Sequence, residues 1–174
     1  SNTVIGAASD ITGDYTNSTV MGWGASVSAS HYVRFGDTAQ TTIAGQVAWT
    51  VTSDRRSKKD IQDTDLGLDF IQKLKPVTYR LKKGNGRLDY GFIAQDVEAA
   101  LGGRVTNMVT RENDSMKTYK LRASDIIAPS VRAVQTLSNT NDAEDRVLSK
   151  TLTTTKIILM LAGLLGSFGF GLYG

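Results

Sequence analysis

One short unit, written three times, limits what the first third of this chain can fold into. "TVIGAAS" at 3–9, "TVMGWGAS" at 19–26 and "YVRFGDTA" at 32–39 each run from β-branched or aromatic residues into a glycine. Gly6, Gly22 and Gly36 fall 16 and 14 residues apart. A strand this short, closed by a glycine turn, cannot bury its own apolar face. Copies stacked along the chain can do so, and so can copies from three chains wound about one axis. An irregular β-meander is the plainer alternative. The chain opens mid-pattern, as a piece of something longer would.

Charge separates this region from the next. Residues 1–53 hold one arginine against three aspartates, whereas residues 54–150 hold 18 cations against 14 acids. The net +3 is modest for a nucleic-acid binder, and no aromatic-studded basic strand accompanies it, so no nucleic-acid partner is expected. The absence of cysteine excludes disulfides, thiol catalysis and cysteine zinc sites. A single histidine, His31, cannot build a multi-histidine metal site, and no Walker-type loop is present, so neither metal nor cofactor is assigned.

Residues 54–123 have globular composition. "LGLDFIQKL" (66–74) puts Leu68, Ile71 and Leu74 on one helical face before Pro76 stops it. "VTYRL" (77–81) alternates as a strand, Asn85-Gly86 supplies a turn, and "LDYGFIA" (88–94) returns, which predicts a hairpin. "AQDVEAAL" (94–101) reads as a short helix ended by Gly102-Gly103. "RVTNMVT" and "MKTYKL" suggest a second strand pair across "RENDS".

Residues 124–156 read as helical and trimerising. Ser124 or Asp125 can cap the start, and Ile127, Val131 and Val134 follow at 4–3 spacing. That seam then meets Ser138, Asn141 and Asp145, so "SNTND" (138–142) is expected to break the helix. From Ile157 to Gly174 the chain is uncharged, with Gly163, Ser167 and Gly171 at small-xxx-small spacing and Lys156 placed to snorkel. This apolar tail is expected to anchor in a membrane, although it sits at the lower limit for a span.

The seam between the first two regions is "SDRRSKKDI" (53–61). Together with "LDFIQKLKPVTYR" (68–80), "YGFIAQDVEAAL" (90–101) and "KTYKLRASDIIAPSVRAVQTL" (117–137), in that order, it resembles the intramolecular chaperone auto-processing domain. That family comprises self-cleaving peptidases at the C-terminus of phage tail spikes, tail fibres and neck appendages, with a relative inside a membrane-bound eukaryotic transcription factor. The resemblance runs from 53 to 137. The repeats at 1–50 are similar to the heads of trimeric autotransporter adhesins and to β-prism shafts of phage fibres. Ser57 and the "LGG" at 101–103 depart from the family pattern.

The resemblance implies a cut at Ser53-Asp54 and selects Ser53 as nucleophile with Lys58 as base. A serine hydroxyl needs a base to take its proton, and His31 lies in the repeats, so a Ser-Lys dyad fits better than a histidine triad. A turn can fold Lys58 back onto Ser53, five residues earlier. An exposed lysine is protonated at neutral pH; like charges on Arg55, Arg56 and Lys59 favour the neutral amine, and burial on assembly favours it further. Lys59 is the fallback base. Gln95 is a candidate oxyanion donor, with Tyr90 and Arg87 as weaker ones. Ser53 attacking its own carbonyl would close a four-membered ring. Attack on the Thr52 carbonyl, or on the bond after Ser53 by a neighbouring subunit's serine, remains open.

These readings combine into an α+β architecture. A short trimeric β-prism or β-roll shaft (1–53) leads into an auto-processing chaperone domain (54–123), trimerising helices (124–156) and the apolar tail (157–174). The expected function is a homotrimeric C-terminal chaperone of a virion tail spike or fibre that templates its upstream shaft and releases itself. A non-cleaving trimeric adhesin with a registration cap and membrane anchor is the alternative. A membrane-tethered regulator would need a DNA-binding domain upstream, which the repeats argue against.

Overall fold

A computed structural model describes residues 1–168, which fall into two compact units. The first comprises Ser1–Asp63 and Gln72–Ile127; the second comprises Thr64–Ile71 and the residues from Ala128 onward.

In the first unit the repeats stack within one chain. The strands are β1 (Thr3–Ile5), β2 (Asp10–Ile11), β3 (Thr19–Met21), β4 (Ser26–Val27) and β5 (Val33–Phe35). β1, β3 and β5 form a parallel ladder in which Thr3 faces Thr19 and Thr19 faces Val33. β2 and β4 form a second parallel pair. The spacings of 16 and 14 are therefore coil lengths: each turn of the chain lays a strand on its predecessor. A β-roll results, not a meander.

The repeated glycine is explained by that stacking. A Cβ on Gly6, at φ +132°, would lie 2.7 Å from the Gly22 carbonyl oxygen, and one on Gly22 would lie 3.2 Å from the Gly36 Cα. Inside the roll, Val20, Ala25 and Val27 are buried, with Ile11 and Tyr32 packed against them. Ser18 is buried too, and its hydroxyl is satisfied by the Ala29 carbonyl at 3.0 Å. Val4, Ile5, Met21, Trp23, Val33 and Phe35 leave apolar surface in water.

The rest of the first unit follows the expected order. β6 (Val77–Tyr79) and β7 (Asp89–Gly91) form an antiparallel hairpin, with Val77 opposite Gly91. Helix α2 (Ala94–Leu101) buries Val97 and Leu101 and ends on Gly102, whose left-handed conformation (φ 63°) returns its N–H to the Ala99 carbonyl. β8 (Val109–Arg111) and β9 (Tyr119–Leu121) form the second hairpin, beside α2. Asp114 organises its turn: the carboxylate accepts the backbone N–H and the hydroxyl of Thr118, which hold it below the ordinary carboxylate range.

The short helix α1 (Leu68–Lys73) ends before Pro76, as expected, and buries Phe70. The long helix α3 (Ile127–Phe168) starts differently from expectation: a 3₁₀ turn over Ala123–Ile126 precedes it, with no side-chain cap at its start. Nor does "SNTND" break it. That stretch contains neither glycine nor proline, and each polar residue costs only about 0.5 kcal/mol relative to alanine. The hydroxyls also bond within the helix, Thr140 to the Thr136 carbonyl and Thr136 to the Arg132 carbonyl, each at 3.0 Å.

Because α3 is continuous, its seam keeps phase through the polar stretch. Ile127, Val134, Asn141 and Leu148 recur every seven residues, as do Val131, Ser138, Asp145 and Leu152, and the apolar members are all exposed. Among the described residues no helix is long and apolar enough to cross a membrane. The last six residues of the expected tail, 169–174, lie outside the described residues.

Candidate functional site

Between the roll and α1, one turn of 3₁₀ helix, Arg55–Ser57, reverses the chain. Asp54 starts it: its carboxylate accepts the Arg56 N–H at 2.8 Å, and its carbonyl accepts the Ser57 N–H at 3.0 Å. An aspartate in this place satisfies an orphan donor of the first turn. Lys58 then leaves in extended conformation, its own N–H bound to the Arg55 carbonyl at 3.1 Å. This short reversal carries the lysine side chain back. Its Nζ donates to Ser53 Oγ at 2.7 Å.

Arg56 plays a different part from the one its charge suggests. Its guanidinium forks onto Asp54, with Nη2 2.6 Å from Oδ2 and Nε 3.1 Å from both carboxylate oxygens. That side-chain pairing, joined by the Arg56 N–H, holds the Asp54 carboxyl below its ordinary range; the same pairing raises the Arg56 guanidinium. The picture of three like charges crowding the amine needs correction, since one of them, Arg56, is matched by the adjacent carboxylate. Asp54 fixes the turn and neutralises Arg56 together. An aspartate directly before a one-turn helix is a capping signal visible in "SDRR", and it is the role the sequence reading missed.

Every residue from Ser53 to Lys58 is exposed. Screening by solvent keeps an exposed ion pair such as Asp54–Arg56 weak. The turn is therefore an open arrangement, with a hydroxyl and an amine in contact and water on every side.

The other candidates lie elsewhere. Gln95 stands in the first turn of α2 and lines a cavity of about 540 Å³ with Tyr79, Phe92, Met116, Tyr119 and Leu121; no residue of 53–58 lines it. Tyr90 is exposed on β7, and Arg87 donates its N–H to Asn85 Oδ1 at the hairpin tip. His31 sits at a corner of the roll, with φ 58° and Nδ1 3.0 Å from the Asn17 amide nitrogen. Among the described residues no cluster of His, Asp and Glu is arranged to hold a metal ion.

The seam motif also opens a recognisable domain. Residues 53–106 match the family of the chaperone of endosialidase. This is the self-cleaving chaperone family that the motifs resemble, and the matched segment begins on Ser53 itself. It covers the 3₁₀ turn, α1, the β6–β7 hairpin and α2, and stops short of the β8–β9 hairpin and α3. No curated protein matches the chain.

Proposed function

We propose that this chain is the end of a β-roll shaft joined to an intramolecular chaperone that assembles as a homotrimer, templates the shaft and severs itself at Ser53-Asp54. The single observation that carries the cleavage step is the 2.7 Å contact between Lys58 Nζ and Ser53 Oγ. In the ammonium form the lysine donates. Once the amine is neutral the same contact runs the other way: Lys58 takes the hydroxyl proton as Ser53 Oγ attacks the carbonyl carbon of the Ser53-Asp54 bond in a neighbouring copy, a route that avoids the four-membered ring. The proton then passes to the departing backbone nitrogen as its C–N bond breaks, and water hydrolyses the ester that remains. The reaction is a single turnover.

Trimerisation supplies what the open turn lacks. The seven-residue seam of α3 is exposed over its described length, and a seam of this period buries itself by coiling around copies of the same helix. Asn141 occupies a core position of that repeat, where a polar residue fixes register. Assembly would hold three shaft ends together at high effective concentration and withdraw water from Lys58, which favours the neutral amine. Membership of residues 53–106 in the chaperone family supports this reading and a virion tail spike or fibre as the setting.

Intact mass and N-terminal sequencing of the expressed chain test the proposal. The expected products are residues 1–53 and 54–174. A trimer that stays in one piece for days near neutral pH overturns the cleavage step and leaves a non-cleaving fibre cap.

A further inference from the structure

Tyr32 and Lys120 are 88 residues apart in sequence, yet the Lys120 ammonium meets the Tyr32 hydroxyl and stands over its ring, 4.3 Å from the centroid. The same ammonium lies 3.2 Å from the Glu112 carboxylate, whose side chain is only 12% exposed. Glu112 also accepts the Ser28 hydroxyl at 3.4 Å and lies 3.9 Å from Arg34 Nη1. Two of these groups, Glu112 and Lys120, belong to the β8–β9 hairpin. The other three, Ser28, Tyr32 and Arg34, belong to the last coil of the roll.

We infer that this cluster is the grip by which the chaperone domain holds its client: a noncovalent latch between the β8–β9 hairpin and the last coil of the shaft. The inference rests on the client reading given above but not on cleavage. A carboxylate on the hairpin answers an arginine on the shaft, and an ammonium on the hairpin answers an aromatic ring on the shaft, a pairing that gains when water is excluded. Tyr32 also packs on the roll core beside Val20, Ala25 and Val27, so the hairpin senses whether that core is formed. Arg34 binds the carbonyl of Gly36 at 3.1 Å, where the coil ends. A one-residue slip of β5 on β3 would turn Tyr32 and Arg34 to the opposite faces and leave the largely covered Glu112 carboxylate without its shaft partners. The latch is thus specific for a correctly laid coil. It joins residues on either side of Ser53-Asp54 without using that bond, so release of a cut chaperone would require the latch to open.

The test uses the whole chain with a sequence-specific protease site inserted in the exposed stretch 43–47, so that shaft and chaperone can be parted whether or not the protein cuts itself. After digestion, the wild-type pieces are expected to co-elute in gel filtration at low salt. They are expected to separate at about 1 M salt, where the screening length is about 3 Å. Glu112→Gln and Lys120→Met are each expected to weaken the association roughly tenfold, and Arg34→Glu combined with Glu112→Arg to recover part of it. Hydrogen exchange at Val97 and Leu101 verifies that the variants stay folded. Separation of the wild-type pieces at low salt overturns the latch, and so does co-elution indifferent to both substitutions. Loss of self-cleavage alone would leave it standing.

Discussion

Replacing Lys58 by methionine and, separately, by arginine distinguishes a base from a structural cation. The Lys58 side chain is exposed, and its backbone N–H bond to Arg55 survives either substitution, so the 3₁₀ turn persists. What changes is the group 2.7 Å from Ser53 Oγ. A positioned general base contributes about 10²- to 10⁴-fold, which corresponds to roughly 3–5 kcal/mol of barrier. Lys58→Met should lengthen the half-time of cutting by at least about 100-fold. Lys58→Arg should be as slow: arginine keeps the charge and can donate to the hydroxyl but does not give up its proton in a protein. The assay is a denaturing-gel time course on purified trimer, checked by intact mass. Wild-type rates in Lys58→Arg would refute the base.

Ser53→Ala should give an uncut chain of unchanged oligomeric state by light scattering. In Arg56→Ala the carboxyl of Asp54 should titrate higher than in the wild type, observable by carboxyl-carbon NMR. The sign follows from the pairing. Because it depresses Asp54 in the folded turn, its stabilisation is present above the ordinary carboxylate pKa of about 3.9 and is lost as pH falls through the lower folded value. Gly22→Val should collapse the roll, since a side chain there starts 3.2 Å from Gly36 at φ +111°; loss of amide protection across Thr3–Phe35, with α2 still protected, would reveal it. Leu101→Ala, at a side chain 3% exposed, should cost about 3 kcal/mol in denaturant unfolding of the first unit.

Local patterns were the legible part of this fold. Pro76, Asn85-Gly86 and Gly102 act on their immediate neighbours, and α1, both hairpins and α2 came out in the expected order with ends shifted by a few residues. The Gly6, Gly22 and Gly36 spacing foretold stacking, but whether copies came from one chain or three depends on strand pairing, which period alone does not encode. At 138–142 the reading failed because capping residues were weighed without their alternative. Thr136 and Thr140 bond back to carbonyls of the same helix, and nothing in the stretch forbids helical backbone. The Ser53–Lys58 contact was legible because only five residues separate the two. The Glu112 cluster was not, since its partners come from elements with no common period.

The exposure of the 53–58 turn is itself informative about control. A Ser-Lys pair that was competent in the single chain would cut during synthesis, before the upstream coils had been laid down. The turn is exposed around Lys58, and Asp54 pairs with Arg56 and so offsets one of the neighbouring cations. The contact geometry is therefore preset in the single chain, while its burial is not. If the chain assembles as proposed, association of like chains would both bury the turn and bring further cations to it, since each copy carries its own Arg55 and Lys59. Such a switch responds to assembly instead of time, which is the property a folding chaperone needs if cutting is to follow, and not precede, a correctly registered shaft.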